Sequence, residues 1–317
     1  MAISSVLILV VALVFVISIT NNYPPSSENM ELVHEKKWGL YVLDLENEET
    51  ELLFSSVDAI SRIRLNNAGD RLVFSQQIDN SNTCTVEGSP INLCEEICSI
   101  RVDGNDFRRL SDNDLGDLVP NWSADDPQIF FLSFRETLDI FKMDADGDNI
   151  VEVYDSGFHD SDLHSSNGKL VFTRNSQIWI MNEDGTELVQ IIDPLRAVEW
   201  GDAVLPFGDY DPNLSPDGNR IVFERLVNDE TTHGNYDIYL INVDGTEEFA
   251  ITDRGYSQGI PVWSHSGEQN VFVVGTIGNE GKFDIYIMDS DDSENRSITT
   301  DYFPAEFLCH HPHILKR

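Results

Sequence analysis

Short apolar runs that end in acidic turns recur along most of this chain. Each run is rich in β-branched and aromatic residues, and four of the six turns carry Asp-Gly, the dipeptide typical of a tight link between antiparallel strands. The six copies are residues 40–48, 97–105, 140–148, 178–186, 238–246 and 285–293. Each copy therefore predicts a β-hairpin.

A second pattern alternates with the first. The stretch "PNLSPDGNRIVFE" begins at Pro212 and reads as a short strand, a turn and a second apolar strand. Its relatives are residues 63–75, 120–132, 162–173 and 261–273. Together the two patterns predict units of four antiparallel strands with a period of roughly 40 to 60 residues, which is typical of β-propeller blades.

These two signatures resemble the repeats of the TolB-type, WD-like (PD-repeat) six-bladed propeller family. The resemblance covers about residues 38–317 and implies an all-β, six-bladed β-propeller of four-stranded antiparallel blades. We expect no counterpart of the TolB N-terminal α/β domain, because only a short polar segment and an apolar run precede the repeats in this sequence. We expect the N-terminal outer strands, from about Trp38, to pair with two inner strands from residues 304–317, which would close the ring without an open sheet edge.

The N-terminal region has a different character. Residues 3–19 form a 17-residue run without charge, which predicts one hydrophobic N-terminal helix. We favour an uncleaved signal anchor over a cleaved signal peptide. The predicted organisation is a signal anchor or signal peptide at 1–20, a linker at 21–36 and a TolB-like propeller at 37–317. The propeller is then membrane-anchored outside the cytoplasm, periplasmic or extracellular, or secreted if residues 1–20 are removed.

The chain is strongly acidic, with 56 acidic against 20 basic side chains and a formal net charge of −36. Such a surface repels phosphate backbones, so nucleic acid is not an expected partner. It favours cationic groups instead. We expect a protein or peptide partner, together with contact to the membrane through the N-terminal helix.

Two motifs that suggest chemistry fall inside the repeat. Ser257 lies in a G-x-S-x-G stretch, but a strand follows it where a nucleophile elbow needs a helix, so it is predicted to be a loop residue. Asp144, Asp146 and Asp148 occupy positions 1, 3 and 5 of a calcium-binding loop, yet they also form a repeat turn. Calcium is therefore a candidate ligand, and no other cofactor is expected.

Cysteines cluster in one insertion. Cys84 and Cys94 are candidates for a disulfide within residues 78–99, because an oxidising compartment permits one there. Cys98 occupies the position that Tyr or other aromatic residues hold in the other units, so it is predicted to be a buried apolar group.

The loops that lead into the inner strands supply the candidate binding residues at the channel mouth. These are Asp117, His159, Asp160, Asp209, Tyr210, Gln258 and Tyr302. A rigid ring that carries such loops favours a binding scaffold for a protein, a peptide or a small ligand. The alternative is a metal-dependent lyase or hydrolase that uses channel carboxylates and His159. Because no nucleophile or paired acid–base motif is evident, we predict that the protein is not an enzyme.

Overall fold

The computed structural model describes residues 7–16, 36–45, 49–77, 95–113, 115–193, 207–228, 235–253, 255–275, 283–289, 295–303 and 308–316. All regular secondary structure in these ranges is β-strand. Within the same ranges, no helix is long and apolar enough to cross a membrane. Cys84 and Cys94, and with them the predicted disulfide, lie outside the described residues.

Twenty-four strands make up six four-stranded antiparallel sheets. In chain order they are β1 (Leu7–Val16), β2 (Lys36–Asp44), β3 (Glu49–Ser56), β4 (Ile60–Leu65), β5 (Arg71–Gln77), β6 (Glu95–Arg101), β7 (Arg108–Arg109), β8 (Asp117–Trp122), β9 (Gln128–Phe134), β10 (Leu138–Asp144), β11 (Val151–Tyr154), β12 (Asp160–Ser166), β13 (Lys169–Arg174), β14 (Gln177–Asn182), β15 (Val189–Gln190), β16 (Asp209–Leu214), β17 (Arg220–Asn228), β18 (Asn235–Asn242), β19 (Phe249–Ala250), β20 (Ser257–Trp263), β21 (Gln269–Gly275), β22 (Phe283–Asp289), β23 (Arg296–Ser297) and β24 (Leu308–Lys316).

Five of the sheets are blades of four consecutive strands, which we number blade 1 (β4–β7) to blade 5 (β20–β23). The sequence predicts a six-bladed ring, and the structure has five blades built from consecutive strands. The predicted hairpins are confirmed: β6 pairs with β7, and its equivalents in the later blades pair in the same way. Ser257, predicted to be a loop residue, is instead the first residue of the inner strand β20, and no helix follows it within residues 257–275.

The Asp-Gly turns need glycine for two reasons. Gly147 and Gly185 have φ angles of 96° and 82°, in the region that favours glycine. A Cβ atom at Gly147 would also lie 2.6 Å from the carbonyl oxygen of Leu110, beside the outer strand of the preceding blade. The repeated dipeptide therefore shapes the hairpin and also lets neighbouring blades approach closely.

Every inner strand contains a β-bulge at the same point. One residue there has a positive φ angle, and the pairing register with the second strand shifts across it. The six bulge residues are Arg62, Val119, Asp162, Asp211, Ile260 and His311. A bulge bends a strand and redirects its side chains. The bulges thus set which side chains the inner strands present to the channel.

The remaining four strands form an antiparallel sheet in the order β24-β1-β2-β3, which we call the mixed sheet because it combines strands from the N-terminal and C-terminal parts of the chain. The predicted N-terminal helix is wrong. Leu7–Val16 is a strand that pairs with β2 on one side and with β24 on the other. A continuous Val-rich apolar run is also what a central strand covered on both faces requires, and periodicity cannot separate the two.

The ring closure also differs from the predicted one. The C-terminal segment supplies one inner strand and not two, because His311 and Pro312 form a bulge like that at Asp211 and Pro212 where a turn was expected. The second strand of the sheet is β1. The predicted outer hairpin, β2 and β3, is confirmed.

The apolar core lies between adjacent sheets. Phe172 and Phe223, fully buried on the second strands of their blades, are typical of its members. Leu40 of β2 packs with Phe74 of blade 1, whereas Leu43 packs with Val271 of blade 5. The mixed sheet therefore lies between blade 5 and blade 1. Cys98 is fully buried in the cluster that contains Leu40, as predicted.

Candidate functional site

Four of the predicted mouth residues share one position, two residues before the bulge of their inner strands. Asp117, Asp160, Asp209 and Gln258 are all fully buried. The guanidinium of Arg174 donates to both oxygens of Asp160, at 2.7 and 3.1 Å. Arg225 holds Asp209 in the same way, at 2.6 and 2.9 Å. These carboxylates therefore join the first two strands of their own blades.

The other two members of this set are also engaged within their blades. Asp117 accepts hydrogen bonds from Ser133 Oγ at 2.6 Å and from Asn113 Nδ2 at 2.7 Å. Gln258 Nε2 donates to the carbonyl oxygen of Tyr256 at 3.3 Å. The structure consequently does not bring these four side chains together as a ring of free ligands.

His159, Asp160 and Tyr210 line one pocket, whereas Tyr302 does not. The His159 ring stacks on Phe134 with centroids 5.8 Å apart, and its Nδ1 accepts the backbone N–H of Leu138 at 3.1 Å. Burial lowers the pKa of His159. Tyr302 instead packs against the cluster between blade 5 and the mixed sheet.

Sequence reasoning missed the residues that meet across the channel. Arg62, Asp162 and Asp211 are bulge residues of blades 1, 3 and 4. Arg62 donates to Asp162 Oδ1 at 3.0 Å, and its other terminal nitrogen binds Asp211. Burial opposes the charge of Arg62, but Asp211 and Asp162 raise its pKa. One sequence feature could have located these residues. The bulge occurs at the repeat position directly before a proline, as at Pro120 and Pro212.

Two glutamates extend this charged layer. Glu224 Oε2 accepts the backbone N–H of Ile260 at 2.8 Å. It occupies space at Gly259 that any side chain would need, because a Cβ atom there would collide with the Glu224 carboxylate. Glu95 accepts from Ser61 Oγ at 3.3 Å. Four carboxylates thus surround the single guanidinium of Arg62.

Three carboxylates in this layer, those of Glu95, Asp162 and Glu224, have raised pKa values. Burial, followed by repulsion from Asp211, raises the pKa of Asp162 to about 6. Burial also raises the pKa of Glu95, and it raises that of Glu224 well above its usual range, although the charge of Arg62 acts in the opposite direction on both. An additional cation would relieve this repulsion.

A pocket of about 340 Å³ opens beside this layer. It lies at the loop mouth, the end of the channel that receives the loops leading into the inner strands. Leu118, Leu132, Phe134 and Leu138 form an apolar wall, and the polar side is lined by Ser61, Arg62, Glu95, His159, Asp162 and Tyr210, among others. A few polar groups that converge on an apolar wall are typical of ligand sites.

The three residues of the calcium prediction form a hairpin turn. Asn149 Nδ2 donates to Asp144 Oδ2 at 2.6 Å, and the backbone N–H of Asp148 donates to Asp146 Oδ1 at 3.3 Å. Arginines, among them Arg108, line the same surface depression. In the described ranges, no three His, Cys, Asp or Glu side chains are grouped so that they could hold a metal ion. Calcium binding here stays a prediction.

We predict that Glu224→Gln stabilises the protein in a pH-dependent way. The pKa of Glu224 is higher in the folded chain than in the unfolded one. The folded state therefore loses stability as pH rises from the pKa of the unfolded-state glutamate towards that of the folded state. A neutral glutamine keeps an acceptor for the Ile260 N–H. At pH 7.5 it should raise the free energy of unfolding by roughly 1 kcal/mol, which corresponds to an increase in melting temperature of about 2–4 °C. The gain should vanish near pH 4.

The matched control is Glu268→Gln, at an exposed turn on the opposite mouth. It should leave the melting temperature unchanged at both pH values. Equal gains for Glu224→Gln at pH 4 and pH 7.5 would show that charge repulsion in the channel is not the cause.

These features define the class of the protein: it has a TolB-like β-propeller fold. The structure of TolB from Acinetobacter baumannii is similar with a TM-score of 0.65 and 13% sequence identity, and the match covers 88% of this chain and 63% of that one. A putative TolB from Agrobacterium tumefaciens gives a TM-score of 0.60 at 13% identity over 99% of this chain and 100% of that one.

Sequence comparison is less extensive. An uncharacterized protein of Agrobacterium fabrum is 26% identical over 178 residues, which span 52% of this chain and 57% of the relative. No protein-family model matches the chain. At these identities the likeness establishes the fold, and function has to be argued from the channel itself.

Proposed function

We propose that this TolB-like propeller is a binding scaffold that holds a protein or peptide partner at the loop mouth. The observation that supports this proposal is the pocket in which an apolar wall, including Phe134 and Leu138, stands beside the carboxylates around Arg62. A rigid ring holds both surfaces in place, so little conformational entropy is lost when a ligand binds.

The charge of the layer favours one kind of ligand. Arg62 neutralises part of the charge of Asp162, Asp211, Glu95 and Glu224, and burial makes the remaining charge costly. A ligand that carries one cationic group and one apolar group would satisfy the carboxylates and fill the wall. A peptide segment with a basic side chain next to an aromatic one has this chemistry.

The ring that carries the site is proposed to have six blades, with the mixed sheet as the sixth. The supporting features are the sixth inner-strand bulge, at His311, and the packing of Leu43 and Leu40 against blades 5 and 1. Membrane anchoring outside the cytoplasm stays a prediction. Leu7–Val16 cannot cross a bilayer while it lies between β24 and β2.

Peptide binding is the direct test of the loop-mouth proposal. A capped peptide with adjacent Phe and Arg is compared with the same peptide carrying Glu in place of Arg, by titration calorimetry. We expect the Arg peptide to bind and the Glu peptide to bind at least about tenfold more weakly. In the double variant E95Q/D162N, which removes two negative charges with little change in shape, affinity for the Arg peptide should fall by a similar factor.

Glu268→Gln again serves as the control, because it removes an exposed carboxylate on the opposite mouth. It should bind the Arg peptide as the wild type does. Equal affinity for the two peptides, or unchanged affinity in E95Q/D162N, would contradict the proposed site.

A further inference from the structure

A second cavity, of about 290 Å³, lies at the other end of the channel. We call this end the turn mouth, because the turns that join the first and second strands of the blades surround it. Twenty of the described residues line the cavity, and none of these is aspartate or glutamate. In a chain with 56 acidic and 20 basic side chains, a lining without any carboxylate distinguishes this cavity from the rest of the surface.

The cavity contains a buried arginine that forms no ion pair with any carboxylate of the described residues. Arg64 is 8% exposed. Its Nε donates to Asn121 Oδ1 at 3.1 Å, and its Nη1 donates to the carbonyl oxygen of Ile63 at 2.9 Å, so both acceptors are uncharged. Within the described part of the chain Nη2 makes no hydrogen bond. Burial, followed by repulsion from Arg62, lowers the pKa of Arg64 to about 10, although the charge of Asp211 acts in the opposite direction.

Two further donors stand at the equivalent position of other inner strands. His164 Nδ1 accepts the backbone N–H of Leu214 at 3.1 Å, and burial keeps the ring neutral by lowering its pKa, so Nε2 carries the proton. Asn213 Oδ1 accepts the backbone N–H of Trp263 at 3.4 Å. In the described ranges Asn213 Nδ2 makes no hydrogen bond. Arg64, His164 and Asn213 all lie two residues after a bulge.

We propose that the turn mouth binds a small carboxylate, which the Arg64 guanidinium holds with His164 and Asn213 as additional donors. A guanidinium presents parallel N–H groups that match the two oxygens of a carboxylate. The cavity offers donors from three blades, and its described lining contains no carboxylate to compete with the ligand. This site is separate from the loop mouth and does not depend on the peptide proposal.

Benzoate and its neutral isostere benzamide test the proposal by titration calorimetry. Benzoate should bind the wild-type protein with Kd below about 10 mM, and benzamide should bind at least about tenfold more weakly. In Arg64→Gln, benzoate affinity should fall at least tenfold. The control is Arg101→Gln, which removes an arginine with a 45% exposed side chain at the end of β6 and should leave binding unchanged.

Asn213→Asp is a second variant that tests the site even if Arg64→Gln does not fold. Aspartate keeps an acceptor for Trp263 and places a negative charge in the cavity, so it should abolish benzoate binding while the melting temperature stays near that of the wild type. Each variant is first shown to be folded by its melting curve. If folded Asn213→Asp or folded Arg64→Gln then binds benzoate with the affinity of the wild type, the proposal fails. It also fails if benzamide equals benzoate or if neither binds.

Two sources of a carboxylate can be separated in the same assay. A tripeptide ending in Phe is compared as the free acid and as the C-terminal amide. Binding of the free acid more tightly than benzoate would identify a peptide C-terminus as the source, and tighter benzoate binding would identify a free small acid. Inorganic phosphate is a third probe, and binding of phosphate more tightly than either carboxylate would overturn the assignment of ligand class.

Discussion

Replacing Asp160 with asparagine should lower the free energy of unfolding by about 3–5 kcal/mol, because it leaves a buried charge without its partner. The Arg174 side chain is only 7% exposed, and its ion pair is with Asp160. Aromatic rings enclose the same guanidinium, with Phe172 and Trp179 each 5.1 Å from it. Water therefore cannot replace the lost carboxylate, and urea denaturation should show the full loss.

The matched variant is Asp209→Asn, at the same position of the next blade. Arg225 would keep Glu248, to which it donates at 2.6 and 3.1 Å, and its side chain is 20% exposed. We therefore expect a smaller loss, about half of that for Asp160→Asn. Equal losses in the two variants would show that the second carboxylate does not compensate Arg225.

Deleting residues 304–317 should have the largest effect on the whole ring. The deletion removes β24, which pairs with β1 and contacts strands of blade 5 and β4 of blade 1. The mixed sheet would lose its inner strand, and blade 1 and blade 5 would lose a common neighbour. We expect the melting temperature to fall by more than about 10 °C, or cooperative unfolding to disappear. Either result is larger than the effect of an ordinary surface substitution.

His313→Asn controls for the loss of a single side chain from β24. Blades 2 and 4 already carry Asn121 and Asn213 at the equivalent position, so this variant should fold and melt close to the wild type. A truncated chain that melts as the full-length protein does would contradict closure through β24.

Removal of residues 1–20 separates the two uses of the N-terminal run. In the structure β1 lies between β24 and β2, so its loss should lower the melting temperature about as much as the C-terminal deletion does. If instead the shortened chain melts unchanged, β1 is not needed for closure, and the run is available to act as a signal anchor or signal peptide.

The repeat pattern was sufficient to predict the hairpins because they are local. Val-, Ile- and aromatic-rich runs that end in Asp-Gly turns specify two strands and their link within about ten residues. The N-terminal run was assigned wrongly for the complementary reason. Leu7–Val16 has no turn or period of its own, and the strands that pair with it, β2 and β24, lie far away in the chain.

The candidate site was only partly accessible to sequence reasoning. His159, Asp160 and Tyr210, which the repeat pattern assigned to the loop mouth, line the pocket there, and their role in ligand binding stays a prediction. Arginines on the adjacent strand, however, hold the carboxylates of Asp160 and Asp209 inside their blades. One residue along a strand changes the direction of a side chain, and the bulge changes it again, so alignment of the repeats alone could not give the orientation.

By itself the sequence determined the propeller class, the hairpins and the acidic character, because each depends on residue types at short spacing. Only the tertiary structure brought Arg62 to Asp162 and Asp211, which lie 100 and 149 positions away. It also placed Arg64 in a cavity whose described lining contains hydrogen-bond donors and no carboxylate. The difference in charge between the two mouths could not be predicted from any local sequence pattern. Each mouth combines single residues from several blades, and these residues become neighbours only when the blades assemble.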